Sequence, residues 1–369
     1  MRYSEIKEAY LEEFSVQLDR CNEQELQEFF EAIGGSRLSE QTDSIKDEIV
    51  SLLGQFDDIS WLNKLMLFLR RKEVHELAMK VYNDTGLNDV FLRQFVRMLI
   101  DSKQTYKKVE QFLRKVYKGK MLDAEALFTN PLPKRVDEFI LDQSDPVYQS
   151  IREELLRWEG KEGVNIGKGE FFCIFLGKDV KKGTSGDLQY GKLQVEVKGD
   201  TARLKGTSGK FEGARANADK INEAIKAILP NTKFKWTWIT VTNLKALAEV
   251  MKHNGDPKET RRVLDLVATG PFPDIMSLSS YAPLVQNTIQ SDGSFDPVKF
   301  RENLGRLNFE YYKDGEFDIL LVLSPTNFKT IAINNGEEFE QARNNRVLAV
   351  QPKFGKGSME VGYAISMLK

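Results

Sequence analysis

The sequence predicts an N-terminal all-α bundle followed by a mixed-sheet α/β domain, an architecture of the α+β or α/β class. Before residue 150 glycine is scarce, and apolar residues recur there at helical spacing. Beyond about residue 148 glycines cluster, and alternating apolar residues predict strands separated by helices. Prolines at 131–146 mark the change of pattern. Residues 1–147 are therefore predicted to form a helical domain and residues 148–369 the α/β domain.

The first part is predicted to be a series of amphipathic helices of opposite charge. These helices are predicted at 6–14, 26–33, 45–53, 61–81, 90–100 and 106–117. Residues 1–60 carry a net charge of −10, whereas residues 61–120 carry +8. The cations of the last helix and its end suit either phosphate contacts or a solvated face. The acidic start favours a protein partner over DNA wrapped around the whole helical domain.

The second part alternates strands with helices. Strands are predicted at 193–198, 233–241, 317–323 and 347–350, and helices at 214–228, 244–252, 258–267 and 297–309. A proline-rich stretch at 270–283 predicts a surface loop. Strands separated by helices, with one hairpin, predict a mixed sheet.

Composition excludes several classes of chemistry and of location. The chain has only two histidines and two cysteines, and neither zinc-ligand spacing nor a nucleophile-elbow motif occurs. Two cysteines provide no disulfide framework, which favours a reducing compartment. The sequence has no apolar run long enough to span a bilayer, and its acidic amphipathic start is unlike a signal peptide. We expect a cytoplasmic protein with no membrane association, whose chemistry uses carboxylates, lysines and a metal ion.

One predicted hairpin brings two carboxylates face to face. Leu193–Lys198 alternates, so Glu196 and Lys198 share a strand face. Gly191 and Lys192 suit a two-residue turn, which by counting places Asp187 opposite Glu196. Facing carboxylates repel each other unless a cation lies between them, and paired hard oxygen ligands suit Mg²⁺ or Mn²⁺. Glu170 opens the preceding helix and offers a third carboxylate.

These residues resemble the PD-(D/E)XK nuclease superfamily, whose fold is restriction-endonuclease-like. A helix-borne glutamate, an aspartate, a hairpin and Glu-X-Lys are its signature, although Gly186 replaces the proline of the name pattern. The resemblance implies that Asp187 and Glu196 ligate the metal ion, that Lys198 is the catalytic lysine, and that Glu170 supports the site. It implies cleavage of DNA phosphodiester bonds.

The following segment supplies candidate phosphate contacts. Arg203, Lys205 and Lys210 lie in a stretch rich in glycine, serine and threonine, which suits either a DNA-contacting loop or a solvent-exposed one.

Three functional hypotheses remain open from the sequence. The first is a Mg²⁺-dependent DNA nuclease, for which cutting both strands favours a homo-oligomer. The second is a non-catalytic DNA-associated or virion assembly protein that keeps the nuclease fold. The "GKGE" and "SGDL" blocks resemble proteins of large tailed phages, which would place the chain in a virion or in infected-cell cytoplasm. The third is a helical scaffold whose α/β domain docks a protein partner.

Overall fold

The computed structural model describes most of the chain beyond residue 71. The described residues are 26, 72–83, 85–87, 89–159, 166–199, 202–204, 207–208, 211–237, 239–353 and 360–368. The predicted helices at 6–14 and 45–53 lie outside them, as do all but the first residue of the helix predicted at 26–33 and most of the helix predicted at 61–81. The described residues form two compact units, neither of which is a continuous stretch of chain.

Unit 1 comprises residues up to 124, together with 137–184 and 188–192. Its helices are α1 (Lys72–Asn83), α2 (Asp89–Asp101), α3 (Tyr106–Tyr117), α5 (Pro146–Arg157) and α6 (Glu170–Leu176), and its strands are β2 (Val180–Lys182) and β3 (Leu188–Tyr190). Helix α6 is apolar after its first residue, Glu170, and all seven of its residues are buried. Phe175 of α6 stacks on Phe95 of α2, with ring centroids 4.2 Å apart. Unit 1 therefore has an aromatic core around α6.

Unit 2 comprises residues 125–136, 185–187 and 193–369. Its helices are α4 (Ala124–Thr129, whose first residue belongs to unit 1), α7 (Phe211–Ile228), α8 (Val241–Asn254), α9 (Pro257–Thr269), α10 (Tyr281–Gln286), α11 (Pro297–Lys313) and α12 (Gly336–Asn344). Its strands are β1 (Lys134–Arg135), β4 (Leu193–Lys198), β5 (Ala202–Arg203), β6 (Thr207–Ser208), β7 (Ile319–Leu323), β8 (Lys329–Ile333), β9 (Leu348–Lys353) and β10 (Glu360–Met367).

The strands form a mixed six-stranded sheet and a second, smaller sheet. The order of the first is β1-β8-β7-β4-β3-β2, with β4 and β7 parallel and β7 and β8 antiparallel. In the second, β10 pairs with β5, β6 and β9. Strand β7 is Ile-Leu-Leu-Val-Leu and fully buried, as expected of a central strand covered on both faces. The predicted mixed α/β fold is confirmed at this level.

Local signals explain where helix α11 begins. Asp296 accepts hydrogen bonds from the backbone N–H groups of Val298 and Lys299, and Pro297 occupies the first turn, where a missing N–H costs nothing. Phe300, Leu304 and Leu307 then face the core at helical spacing. Helix α11 thus has a fixed start and a fixed buried face, which also sets where its last turn lies.

Two predictions about local structure are wrong. The described residues of 233–241 form no strand, because the Asn222 side chain bonds to both backbone groups of Trp236. Asn222 Oδ1 accepts from Trp236 N–H at 2.7 Å, and Asn222 Nδ2 donates to Trp236 O at 3.0 Å. The stretch at 270–283 is not a surface loop, since Phe272 and Ile275 are fully buried and two short helices form there. The burial of apolar side chains decided the structure of this proline-rich stretch, although its prolines favour turns.

Candidate active site

Strand β4 carries Glu196 and Lys198 into the interior of unit 2. It runs parallel to β7, with Glu196 beside Leu320 and Lys198 beside Val322. Val195 and Val197, on the opposite face, are buried. Glu196 is itself only 7% exposed, so a carboxylate on this strand needs polar partners to offset the loss of hydration.

Asp187 reaches β4 through its side chain. Strand β3 begins only at Leu188, so Asp187 precedes the ladder rather than pairing with Glu196 in it. Asp187 Oδ2 accepts a hydrogen bond from the backbone N–H of Val197 at 2.8 Å. The carboxylate therefore lies against the strand between Glu196 and Lys198. The predicted two-residue connection is present, with Gly191 at a φ of 60°.

A glycine permits this close approach. A Cβ on Gly186 would lie 3.0 to 3.2 Å from backbone atoms of Val195. Because those atoms belong to the strand backbone, they have little freedom to move away. Gly186, the departure from the proline of the family pattern, is therefore the residue that lets the Asp187 turn lie against β4.

The Glu196 carboxylate is held by two side chains. Lys198 Nζ and the Tyr312 hydroxyl both donate hydrogen bonds to Glu196 Oε1. Lys198 Nζ also lies 5.5 Å from the centroid of the Tyr312 ring, within cation–π range. The three side chains form one cluster with Asp187, which we call the Glu196 cluster.

Tyr312 stays protonated in this setting. Burial, its hydrogen bond to Glu196 and the nearby charges of Glu196, Asp187 and Glu316 raise the pKa of Tyr312 well above its ordinary value. Its ring packs edge-on against Phe317, with centroids 4.9 Å apart. The phenol is thus a fixed hydrogen-bond donor to the Glu196 carboxylate.

Sequence reasoning missed Tyr312. The helix predicted at 297–309 continues to Lys313, and Tyr312 follows Leu304 and Asn308 at four-residue intervals. That spacing places Tyr312 on the buried face of α11 and was a usable signal for its burial. No sequence signal showed that this face meets β4.

Asp318 fixes the strand beside the cluster. Its Oδ2 accepts from the backbone N–H of Gln194 at 2.8 Å, and its own N–H donates to Gln194 O at 2.8 Å. Lys313 Nζ donates to Asp318 O at 2.6 Å. Asp318 therefore anchors the start of β4 beside β7.

Glu170 belongs to unit 1, where it holds a turn. It is 6% exposed, and its Oε1 accepts from the backbone N–H of Gly167 at 2.7 Å. Gly169, with a φ of 88°, precedes it as the helix cap. This bond closes the turn that leads into α6. Burial and the charge of Glu170 raise the pKa of the Cys173 thiol well above its usual range.

Only part of the predicted phosphate-contacting stretch is described. Arg203 lies in β5 beside Ala364 of β10 and is partly exposed, whereas Lys205 and Lys210 lie outside the described residues.

The two carboxylates of the Glu196 cluster suit a hard divalent cation that takes two of its ligands from the protein. Asp187 and Glu196 provide carboxylate oxygens, and no hydrogen-bond donor among the described residues contacts Glu196 Oε2. In the part of the chain that the structure describes, no group of three or more His, Cys, Asp or Glu side chains is arranged to hold a metal ion. Mg²⁺ is commonly held by one or two carboxylates together with waters and substrate phosphate. Asp187 and Glu196 supply that number of carboxylates.

The chain was compared with protein-family models, curated proteins and solved structures, and none of them matches it. Of the helices that the structure describes, none has the length and apolarity needed to cross a membrane.

Proposed function

We propose that the chain is a metal-dependent nuclease that hydrolyses DNA phosphodiester bonds at the Glu196 cluster. The observation that carries the proposal is the approach of Asp187 to the strand that holds Glu196 and Lys198, through its bond to Val197 N–H. Glu196 and Lys198 on one strand face, with the Asp187 carboxylate against that strand, are the set that the PD-(D/E)XK resemblance implies. In the proposal, Asp187 and Glu196 hold Mg²⁺ or Mn²⁺.

The side chains have separable roles in this reaction. The bound metal ion would lower the pKa of a water molecule and stabilise charge on the phosphate. Lys198 places an ammonium group beside the carboxylates, where it can neutralise charge that develops on a phosphoryl oxygen. Glu196 holds that ammonium group in place. Tyr312 orients Glu196 by donating to Oε1, and Arg203, Lys205 and Lys210 would contact the DNA backbone.

A cleavage assay tests the proposal. Supercoiled plasmid, single-stranded circles and branched DNA are incubated with Mg²⁺ or Mn²⁺ and with the wild type or single variants. Lys198→Ala and Asp187→Ala should each reduce cleavage by about 10²–10³-fold or more, the range for losing one electrostatic contact to a transition state. Lys192→Ala and Asp274→Ala, at exposed positions, are matched controls that should cut like the wild type. Absence of cleavage by the wild type, or equal cleavage by all variants, contradicts the proposal.

Metal binding is measured separately by thermal unfolding. A cation that binds only the folded state stabilises it by about 2.7 kcal/mol at a hundred times its Kd. Mn²⁺ should therefore raise the Tm of the wild type and leave that of Asp187→Ala nearly unchanged. An equal shift in both proteins would place the metal ion elsewhere.

A second candidate function is a non-catalytic DNA-associated or virion assembly protein on the same frame. The observation that favours it is the Glu196 network itself, in which Lys198 neutralises the carboxylate and both Lys198 and Tyr312 donate to its Oε1 without a cation. This candidate predicts DNA binding in EDTA with no cleavage by any variant and no Tm response to Mn²⁺.

Cleavage of both strands of a duplex calls for two such sites, which a homo-oligomer would supply. Light scattering behind a sizing column measures the molar mass directly. A monomer that linearises plasmid in a single binding event would contradict this part of the proposal. The search for a protein partner of residues 1–147 is a separate experiment, and it uses the full chain.

A further inference from the structure

Helix α3 of unit 1 presents a cationic face to solvent. Its buried residues are Val109, Phe112, Leu113 and Val116. The opposite face carries Lys107, Gln111 and Arg114, and Lys118 follows at the cap, with all four side chains exposed. Their spacing of four, three and four residues places them in one stripe along the helix. From Lys107 to Lys118 the stripe is about 16 Å long at 1.5 Å per residue.

A second segment of unit 1 extends this stripe. Gly119 turns the chain with a φ of 68°, and the stem of Lys178 packs there, with its Cδ 3.1 Å from where a Cβ of Gly119 would lie. Lys120 is exposed on the same turn. We call Lys107, Arg114, Lys118, Lys120 and Lys178 the basic surface. The ammonium groups at its end come from segments about sixty residues apart, so their proximity is a product of the fold.

Carboxylates neutralise little of the basic surface. Arg114 pairs with Glu110, and Lys115 on the flank is taken by Asp142 and Asp145. Within the described residues, Lys107, Lys118, Lys120 and Lys178 form no ion pair. Asp179 is the acidic neighbour of Lys178. A cluster of unpaired ammonium groups repels itself unless a polyanion approaches.

An aromatic side chain is exposed within this cluster. Tyr117 is 45% exposed, although it lies directly between buried Val116 and Lys118. Cations around an accessible aromatic ring are the combination that binds single-stranded nucleic acid, because the cations track the backbone and a base stacks on the ring. An acidic protein segment would use the ammonium groups and has no comparable use for the ring.

We propose that the basic surface binds the phosphodiester backbone of nucleic acid without reading its sequence. The inference goes beyond the proposed nuclease function, since it rests on contacts within unit 1 and stands whether or not the Glu196 cluster is catalytic. Duplex DNA carries one charge per about 1.7 Å of axis, so the stripe spans about nine phosphates. The surface therefore recognises the spacing of phosphate charges. Tyr117 favours single-stranded nucleic acid, whose unpaired bases can stack on its ring.

Fluorescence anisotropy in EDTA tests this inference without any cleavage. Fluorescein-labelled single-stranded and duplex DNA of random sequence are titrated with wild-type full chain at several salt concentrations. The test variant is Lys118→Glu, Lys120→Glu and Lys178→Glu combined. The matched control changes three exposed lysines of unit 2, as Lys226→Glu, Lys235→Glu and Lys245→Glu combined, for the same change in net charge. Circular dichroism confirms that both proteins are folded.

The test variant should bind DNA at least about tenfold more weakly, and its plot of log K against log salt should be shallower by about three, one for each lost phosphate contact. The control should bind like the wild type. Tyr117→Ala should weaken binding to single strands more than to duplex. Equal effects in the test and control variants, or no DNA binding by the wild type at low salt, would overturn the proposal. Stronger binding to polyglutamate than to DNA would assign the surface to an acidic protein instead.

Discussion

Two glutamates, Glu170 in unit 1 and Glu196 in unit 2, are buried to nearly the same extent, with 6% and 7% of their surfaces exposed. Their carboxylates nevertheless accept hydrogen bonds from different kinds of donor. Glu170 accepts from the backbone N–H of Gly167, three residues before it. Glu196 accepts from the side chains of Lys198 and Tyr312, the second of which lies 116 residues away.

The Glu170 carboxylate therefore stabilises a local turn, whereas the Glu196 carboxylate can exchange a hydrogen-bond donor for a ligand. A backbone donor three residues away is fixed once the turn forms, so Glu170 contributes to the geometry of the α6 entry. The Lys198 donor is a flexible side chain whose ammonium group a bound cation can replace, whereas Tyr312 is held by its packing against Phe317. The Glu196 cluster therefore has the adaptability that ligand binding requires, and the Glu170 turn has the rigidity of a structural element.

The largest effect on stability is expected at Glu196. Glu196→Ala leaves the Lys198 ammonium group, 18% exposed, without its counter-charge, which should cost about 3 kcal/mol of unfolding free energy. In urea unfolding, adding Lys198→Ala to Glu196→Ala should recover part of the loss, because the unpaired charge is then removed. Strictly additive single losses would show that the pair is not coupled in solution.

An intermediate effect is expected at the Glu170 turn. A Cβ on Gly167 would clash with Glu170 Oε1, so Gly167→Ala must move this buried carboxylate off the Gly167 N–H and should cost about 1–3 kcal/mol through the lost hydrogen bond. In a Glu170→Ala background the same change should cost much less, since the clashing oxygen is gone. Unfolding free energies of the four proteins check this, and equal costs in both backgrounds would contradict it.

The Glu170 variants also bear on catalysis. If Glu170 has the catalytic role that the family resemblance implies, Glu170→Gln should lower cleavage while the protein remains folded. Wild-type cleavage by a folded Glu170→Gln protein would confine the role of Glu170 to the turn.

The smallest effect is expected in alkaline solution at Tyr312. The raised pKa of Tyr312 means that the unfolded chain loses the phenolic proton at about pH 10, whereas the folded state keeps it. The stability that this provides is fully present below pH 10 and is lost as the pH rises further. Tyr312→Phe should flatten the fall of unfolding free energy above pH 10 by about 1.4 kcal/mol per pH unit.

Tyr117→Phe, at an exposed position, is the control for this titration. Tyr281 and Tyr363 also have raised pKa values through burial, so a residual slope should persist in Tyr312→Phe. An unchanged slope in Tyr312→Phe would mean that its hydroxyl is accessible to water.

Some of the architecture could be predicted from local pattern. Strand β4 and the turn at Gly191 followed from alternation and from the glycine, and α3 and α11 followed from apolar spacing at three and four residues. These signals are enough to predict an element, because a helix or strand that buries one face needs apolar residues at fixed intervals within its own length. The strand predicted at 233–241 was wrong because Asn222, eleven or more residues earlier, supplies the hydrogen bonds that a neighbouring strand would have made.

By itself, the sequence determined the mixed α/β character of the chain, the positions of Glu196 and Lys198 on one strand and the cationic pattern of α3. All of these depend on residues within about a dozen positions of one another. Only the tertiary structure decided that Tyr312 donates to Glu196, that Asp187 reaches the strand through its side chain, and that Lys178 joins the end of α3. Those contacts depend on which faces of separate elements pack together, and that choice is made by the burial of the whole core rather than by any local signal.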